Sequence, residues 1–237
     1  MGQDKKTIFL VANWKMNPTT KHEARELIDA IEQGVTRTPS LQVVVCPPAL
    51  YIDIVAQQTH NIAIGAQNCF CESKGAFTGE VSPAMLEEIG CKYVVLGHTE
   101  RRALGETNEL TNKKLKFVLE KTNLRPIVAI GSKSRDEVDE VLKQQIEKAF
   151  EGVSSTKAKN VILAYEPIWA IGTGDVPSTN QVMSVRIFIQ KTLQTMYNAS
   201  VAHSVPLLYG GSTNAQNCVD FIQNAHTDAP NLSLIHI

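Results

Sequence analysis

The chain has 237 residues, 43% of them hydrophobic and 20% charged, with 23 Lys and Arg against 24 Asp and Glu and a formal net charge of −1. That composition is too apolar and too nearly neutral for a disordered chain. It gives no electrostatic reason to expect a nucleic-acid partner, and no apolar stretch reaches the roughly 18 residues that cross a membrane.

The polar start runs into an apolar, β-branched segment at 7–12, too short for a signal core, and the reading is a cytoplasmic protein. Further strand candidates follow at 42–46, 62–66, 93–96, 127–130, 161–165 and 206–209. Several are apolar throughout, as strands covered on both faces tend to be. Helical periodicity appears between them at 22–34, 108–121, 134–150, 179–196 and 214–223, with Ser134 and Thr179 as candidate N-caps. Five cysteines (Cys46, Cys69, Cys71, Cys91, Cys218) are scattered, and the six histidines show no zinc spacing, so no metal site is read and the thiols are expected reduced.

This makes seven strand-then-helix units with no linker between them, hence one α/β domain over 1–231 with parallel strands. An open dinucleotide-binding sheet would carry Gly-x-Gly-x-x-Gly after its first strand. Asn13-Trp14-Lys15-Met16-Asn17 stands there instead, which favours a closed barrel. The length falls slightly under the roughly 250 residues typical of eight units.

In such a barrel the chemistry sits at the carboxyl ends of the strands. Those ends hold Asn13 and Lys15, Gln67 and Asn68, His98 and Glu100, Glu166, and Gly210-Gly211-Ser212. Any one of these is explained by a cap or a turn. Together they place a cation, a proton relay and a base on one face. Gly172-Thr173-Gly174 and Gly210-Gly211-Ser212 let backbone N–H groups approach an anion. Pro167 and Trp169, followed by two glycines, read as the stem of a lid.

The stretches Asn13–Asn17, Gly97-His98-Thr99-Glu100-Arg101-Arg102, Ala164 through Gly174 and Tyr209-Gly210-Gly211-Ser212 resemble the triosephosphate isomerase family. Gly65-Ala66-Gln67-Asn68 and Gly75 to Glu80 add to the resemblance, which runs in order over 7–224. It implies a (β/α)8 barrel and a cofactor-free interconversion of dihydroxyacetone phosphate and glyceraldehyde 3-phosphate. Glu166 would be the base, His98 a neutral proton relay, Lys15 the cation and Asn13 a hydrogen-bonding partner, with Glu100 in support. Gly172 and Ser212 would bind phosphate with Asn13 and Lys15. Pro167, Ile168, Trp169, Ala170, Ile171, Gly172, Thr173 and Gly174 would form the lid. The loop 70–81 would build a homodimer, with Thr78 reaching the neighbouring site and Glu80 and Arg101 bracing the loop.

Besides Thr99, where the family usually has Ser, and Asp175, where Lys is frequent, the chain departs from the family in two larger places. The fifth strand ends Ala129-Ile130-Gly131-Ser132, where the family commonly has Cys-Val-Gly-Glu. No eighth strand with a Gly-Gly pair follows 224, so about seven of eight units are read, with two open sheet edges, poor folding and weak turnover as the expectation. The last six residues, Leu-Ser-Leu-Ile-His-Ile at 232–237, are read as a non-native, adapter-derived tail.

Overall fold

The computed structural model describes residues 7–170, 177–211 and 232–235. Within them the strands run parallel, in chain order, and close into a barrel. They are β1 (Ile8–Asn13), β2 (Leu41–Cys46), β3 (Ala63–Ala66), β4 (Tyr93–Leu96), β5 (Arg125–Ser132), β6 (Ile162–Pro167), β7 (Leu207–Tyr209) and β8 (Leu232–Ile235). The helices are α1 (Lys21–Gly34), α2 (Ile52–Ala56), α3 (Pro83–Glu88), α4 (Thr99–Ala103), α5 (Asn108–Lys121), α6 (Val138–Ala149), α7 (Ser155–Ala158), α8 (Thr179–Met196) and α9 (Ala199–Ser204).

The strands are apolar throughout because both faces are covered. Val44 and Cys46 of β2 and Ile162 and Ala164 of β6 pack with Phe9, Val11, Val95, Ile127 and Leu208 in one cluster, the barrel interior. Their chain neighbours Val43, Val45, Leu163 and Tyr165 pack with Ile28, Leu115, Leu142, Ile146 and Leu193 in a second cluster under the helices. Side chains of a strand alternate with period two, which divides each strand between these clusters. Each fully buried Val, Leu or Ile contributes about 1.5–3 kcal/mol relative to exposure.

The expectation of two open edges is corrected. β8 pairs with β7 through Leu207↔Leu232, Leu208↔Ser233 and Tyr209↔Leu234, and with β1 through Leu10↔Leu234 and Val11↔Ile235. The gap between β7 and β1 asks for backbone donors and acceptors at strand spacing. A short extended segment meets that demand whatever its side chains were selected for.

Two helix starts also differ from the sequence reading. Ser134 does not cap α6: its hydroxyl accepts from Asp136 N, and the helix begins at Val138 after Glu137, which makes no side-chain cap bond. Ser178, not Thr179, caps α8, because Gln181 three residues on completes a capping box with it. The helix read at 214–223 lies outside the described residues.

Candidate active site

Period two also places the chemistry. Ile162, Ala164 and then Glu166 share one parity on β6, as do Phe9, Val11 and Asn13 on β1. The interior-facing series therefore ends on polar groups at the carboxyl mouth. Asn13 (4% exposed) and Glu166 (1%) are buried there.

Lys15 follows Asn13 with φ at +53°, a left-handed conformation that a non-glycine residue adopts at a cost. Asn13 Oδ1 supports it by accepting from Lys15 N at 3.0 Å. Gln67 Nε2 fixes it from the other side, donating to the carbonyls of Lys15 (2.8 Å) and Cys46 (2.9 Å). The ammonium thus reaches Glu100, Nζ to Oε1 2.7 Å.

His98 sits two residues past β4, after Gly97 at φ +66°. It caps α4: Nδ1 accepts from Glu100 N at 3.2 Å. That leaves the proton of a neutral ring on Nε2, which lies 3.0 Å from Glu166 Oε1. Glu166 Oε2 accepts from Thr99 N at 3.0 Å and from the Thr99 hydroxyl. Thr99 therefore holds the Glu166 carboxylate in place.

The pair perturbs itself. Burial works to raise the Glu166 carboxyl, but the bond and charge of His98 and the two Thr99 bonds outweigh it and hold the group below its ordinary value. Burial works to lower His98, but the Glu166 bond and charge, with Glu100 behind, pull it above its ordinary value. The His98 ring, expected neutral from the sequence, thus feels a pull toward its charged form from an ionised Glu166. That pull comes from the carboxylates, because burial and Lys15 push the other way.

Under this site lies a buried ion pair that sequence reasoning missed. Glu106 (6% exposed) and Lys114 (2%) meet at 2.7 Å. Glu106 also accepts from Gly97 N at 3.1 Å, and Lys114 also donates to Asn68 Oδ1 at 2.8 Å. The pair ties the His98 turn to the end of β3. Burial works against Glu106 ionising, but the Lys114 bond and charge win and lower its pKa. Gly131 was missed as well: a Cβ there would overlap the Glu166 carbonyl oxygen. Both facts are non-local, so the chain around these residues carried no signal.

Of the expected lid, Pro167 ends β6 and Ile168, Trp169 and Ala170 form a 3₁₀ turn. Ile171, Gly172, Thr173 and Gly174 lie outside the described residues, as does Ser212. In the expected dimer loop Phe70 N bonds Val81 O at 2.8 Å, and the rings of Phe70 and Phe77 meet 4.5 Å apart, tilted by 45°. Thr78 and Glu80 are exposed at its tip. Among the described residues Arg101 pairs with Glu106 (3.5 Å), not with the expected Glu80. Glu106 is five residues away and already buried, so the local partner wins.

The family model for triosephosphate isomerase matches residues 8–229. The chain is 39% identical to the triosephosphate isomerase of Rhodopirellula baltica over 228 residues, covering 93% of this chain and 89% of that one. It is 40% identical to that of Alkaliphilus oremlandii over 227 residues (93% and 90%). With that of Clostridium novyi it shares 42% over 211 residues (86% and 83%). With the barrel, the mouth residues and these matches together, the chain belongs to the triosephosphate isomerase family.

Proposed function

We propose that Glu166, His98, Lys15 and Asn13 carry the isomerisation of dihydroxyacetone phosphate and glyceraldehyde 3-phosphate in this chain. The observation that supports it is the convergence of base, relay and cation at one mouth, with Glu166 Oε1 3.0 Å from His98 Nε2. Glutamate as base and neutral histidine as relay are the roles known for this family. At rest Glu166 is a weak base, satisfied by Thr99 and His98. Turning to the substrate carbon leaves those bonds but not the burial, and its basicity rises. The carboxylate takes a proton from the carbon beside the carbonyl, and the C–H electron pair forms the enediolate. His98 Nε2–H then protonates one oxygen, and the ring takes a proton back from the other. Lys15 stabilises the negative charge throughout. Glu166 finally returns its proton to the neighbouring carbon. As the carboxylate leaves His98 its upward influence goes with it, and burial and Lys15 then favour the neutral ring. In an assay of triose phosphate interconversion Glu166→Asp is expected to lose about 100-fold in kcat, since the carboxylate retracts by about one carbon length. A full rate in that variant would remove Glu166 as the base.

The expected small phosphorylated substrate follows from the family; phosphate binding by Gly172 and Ser212 is part of this proposal. So is a homodimer in the cytoplasm. Among the described residues no helix is long and apolar enough to cross a membrane. Supporting the dimer is a cavity of about 390 Å³ beside Lys15 and His98. Exposed Met16 (91%) and Leu104 (78%) border it. An apolar rim of this kind fits the loop tip of a second copy. Sedimentation of the wild-type chain as a monomer would end that reading.

We also propose that 232–237 is the non-native tail and 1–231 the domain. Support comes from the family match, which stops at residue 229. The codons of the last six residues decide it.

A further inference from the structure

The barrel registers Gly131 against Glu166 and Ser132 against Pro167, so the loops after β5 and β6 leave the mouth side by side. Ser132, where the family commonly has an acid, is buried and folds back on its own loop. Its hydroxyl donates to Ser134 O (2.9 Å) and accepts from Ser134 N (3.1 Å). That tight turn delivers the next residue, Arg135, over Trp169, with the guanidinium carbon 4.0 Å from the ring centroid. The indole N–H of Trp169 is buried, and its ring edge interacts with the hydroxyl of Tyr165 on β6. Arg135 takes the ring by its face.

We propose that Arg135 is a positioning residue for this enzyme: it holds Trp169 by a cation–π contact and so fixes the stem Pro167–Ala170 that follows the base. A planar cation on an indole is the strongest pairing of this type. The contact exists in the ligand-free arrangement, in which Glu166 rests on Thr99 and His98. It therefore favours that arrangement over one in which the stem has followed Glu166 to the substrate, and any ligand of the second state must work against it. The link to substrate rests on the isomerase reading; the contact itself does not.

The experiment separates the two. The chain has two tryptophans, Trp14 and Trp169. Incorporating 5-fluorotryptophan gives two ¹⁹F resonances, assigned with Trp169→Phe. Arg135→Ala and Arg135→Gln are expected to shift the Trp169 resonance and leave that of Trp14 in place, while Arg135→Lys retains part of the wild-type position. High salt is expected to shift the wild-type signal the same way and not to affect the Gln variant. In the isomerase assay Arg135→Ala is expected to lower KM about two- to five-fold, the range an exposed cation–π contact supports, with kcat little changed. An unmoved Trp169 resonance in both Ala and Gln variants would overturn the contact. A shifted resonance with unchanged KM would overturn the positioning role. A wild-type chain without isomerase activity that still shows the ¹⁹F shift would defeat the functional reading and leave the contact standing.

Discussion

His98 Nε2 and Glu166 Oε1 stand 3.0 Å apart, with only 8% and 2% of the two side chains exposed. Each partner stabilises the charged form of the other. The Glu166 carboxyl is held below its ordinary 4.5, so its share of stability is present above that value and is lost as pH falls through the lowered one. His98 is raised above 6.5, so its share is full below that value and is lost as pH rises through the raised one. Glu166→Gln removes the main upward influence. The His98 imidazole is then expected to titrate lower than in the wild type, a shift that NMR of the ring protons reads directly. A pKa that stays where it was would mean that Glu100 alone sustains it.

Breaking the Glu106–Lys114 pair strands a charge inside the protein. Lys114→Met or Glu106→Gln is expected to cost about 3–5 kcal/mol in denaturant unfolding, whereas an apolar double replacement recovers much of the loss. Because the Glu106 carboxyl is lowered, the pair's contribution is expected to fade as pH falls below the ordinary carboxylate value. Equal stability of single and double variants would contradict this.

Gly131 allows β5 to pass against the Glu166 backbone. In Gly131→Ala one strand must yield to a new methyl group. We expect a loss of about 1–3 kcal/mol in stability together with reduced kcat, since the displaced strand carries the proposed base. A variant that keeps its unfolding midpoint and loses no kcat would show that β5 has room to spare.

The described cysteines are sorted by burial. Cys69 and Cys91 are pushed up to about 12, mainly by desolvation, and Cys46 is raised for the same reason. Cys71 alone among these four is partly exposed. A thiol reagent at mild alkaline pH, followed by peptide mass analysis, is expected to modify Cys71 first and leave the other three untouched in the folded protein.

Much of this was visible in the chain. The strands showed as apolar runs because both their faces are buried, and Asn13 and Glu166 declared themselves because period two carries an interior series onto a polar residue at the mouth. The Ser178 cap was within reach as well, since Gln181 stands at the capping-box spacing from it. Other features leave no local trace. α2, α3, α7 and α9 span six residues or fewer, less than periodicity needs to register. Lys114 lies on a charged-looking helix, and only the packed structure shows it turned inward to Glu106. The grip of Arg135 on Trp169 depends on β5 and β6 being neighbours, a fact of topology and not of the residues around either one.

Lys15 adopts a backbone conformation that glycine takes without penalty. The substitution that would relax the fold at this point is the one that deletes its ammonium. Random variants screened for heat resistance alone should therefore drift toward glycine there, and the survivors would be sturdier and inert. Under the role proposed for Lys15, a single φ angle sets chemistry against stability at this position.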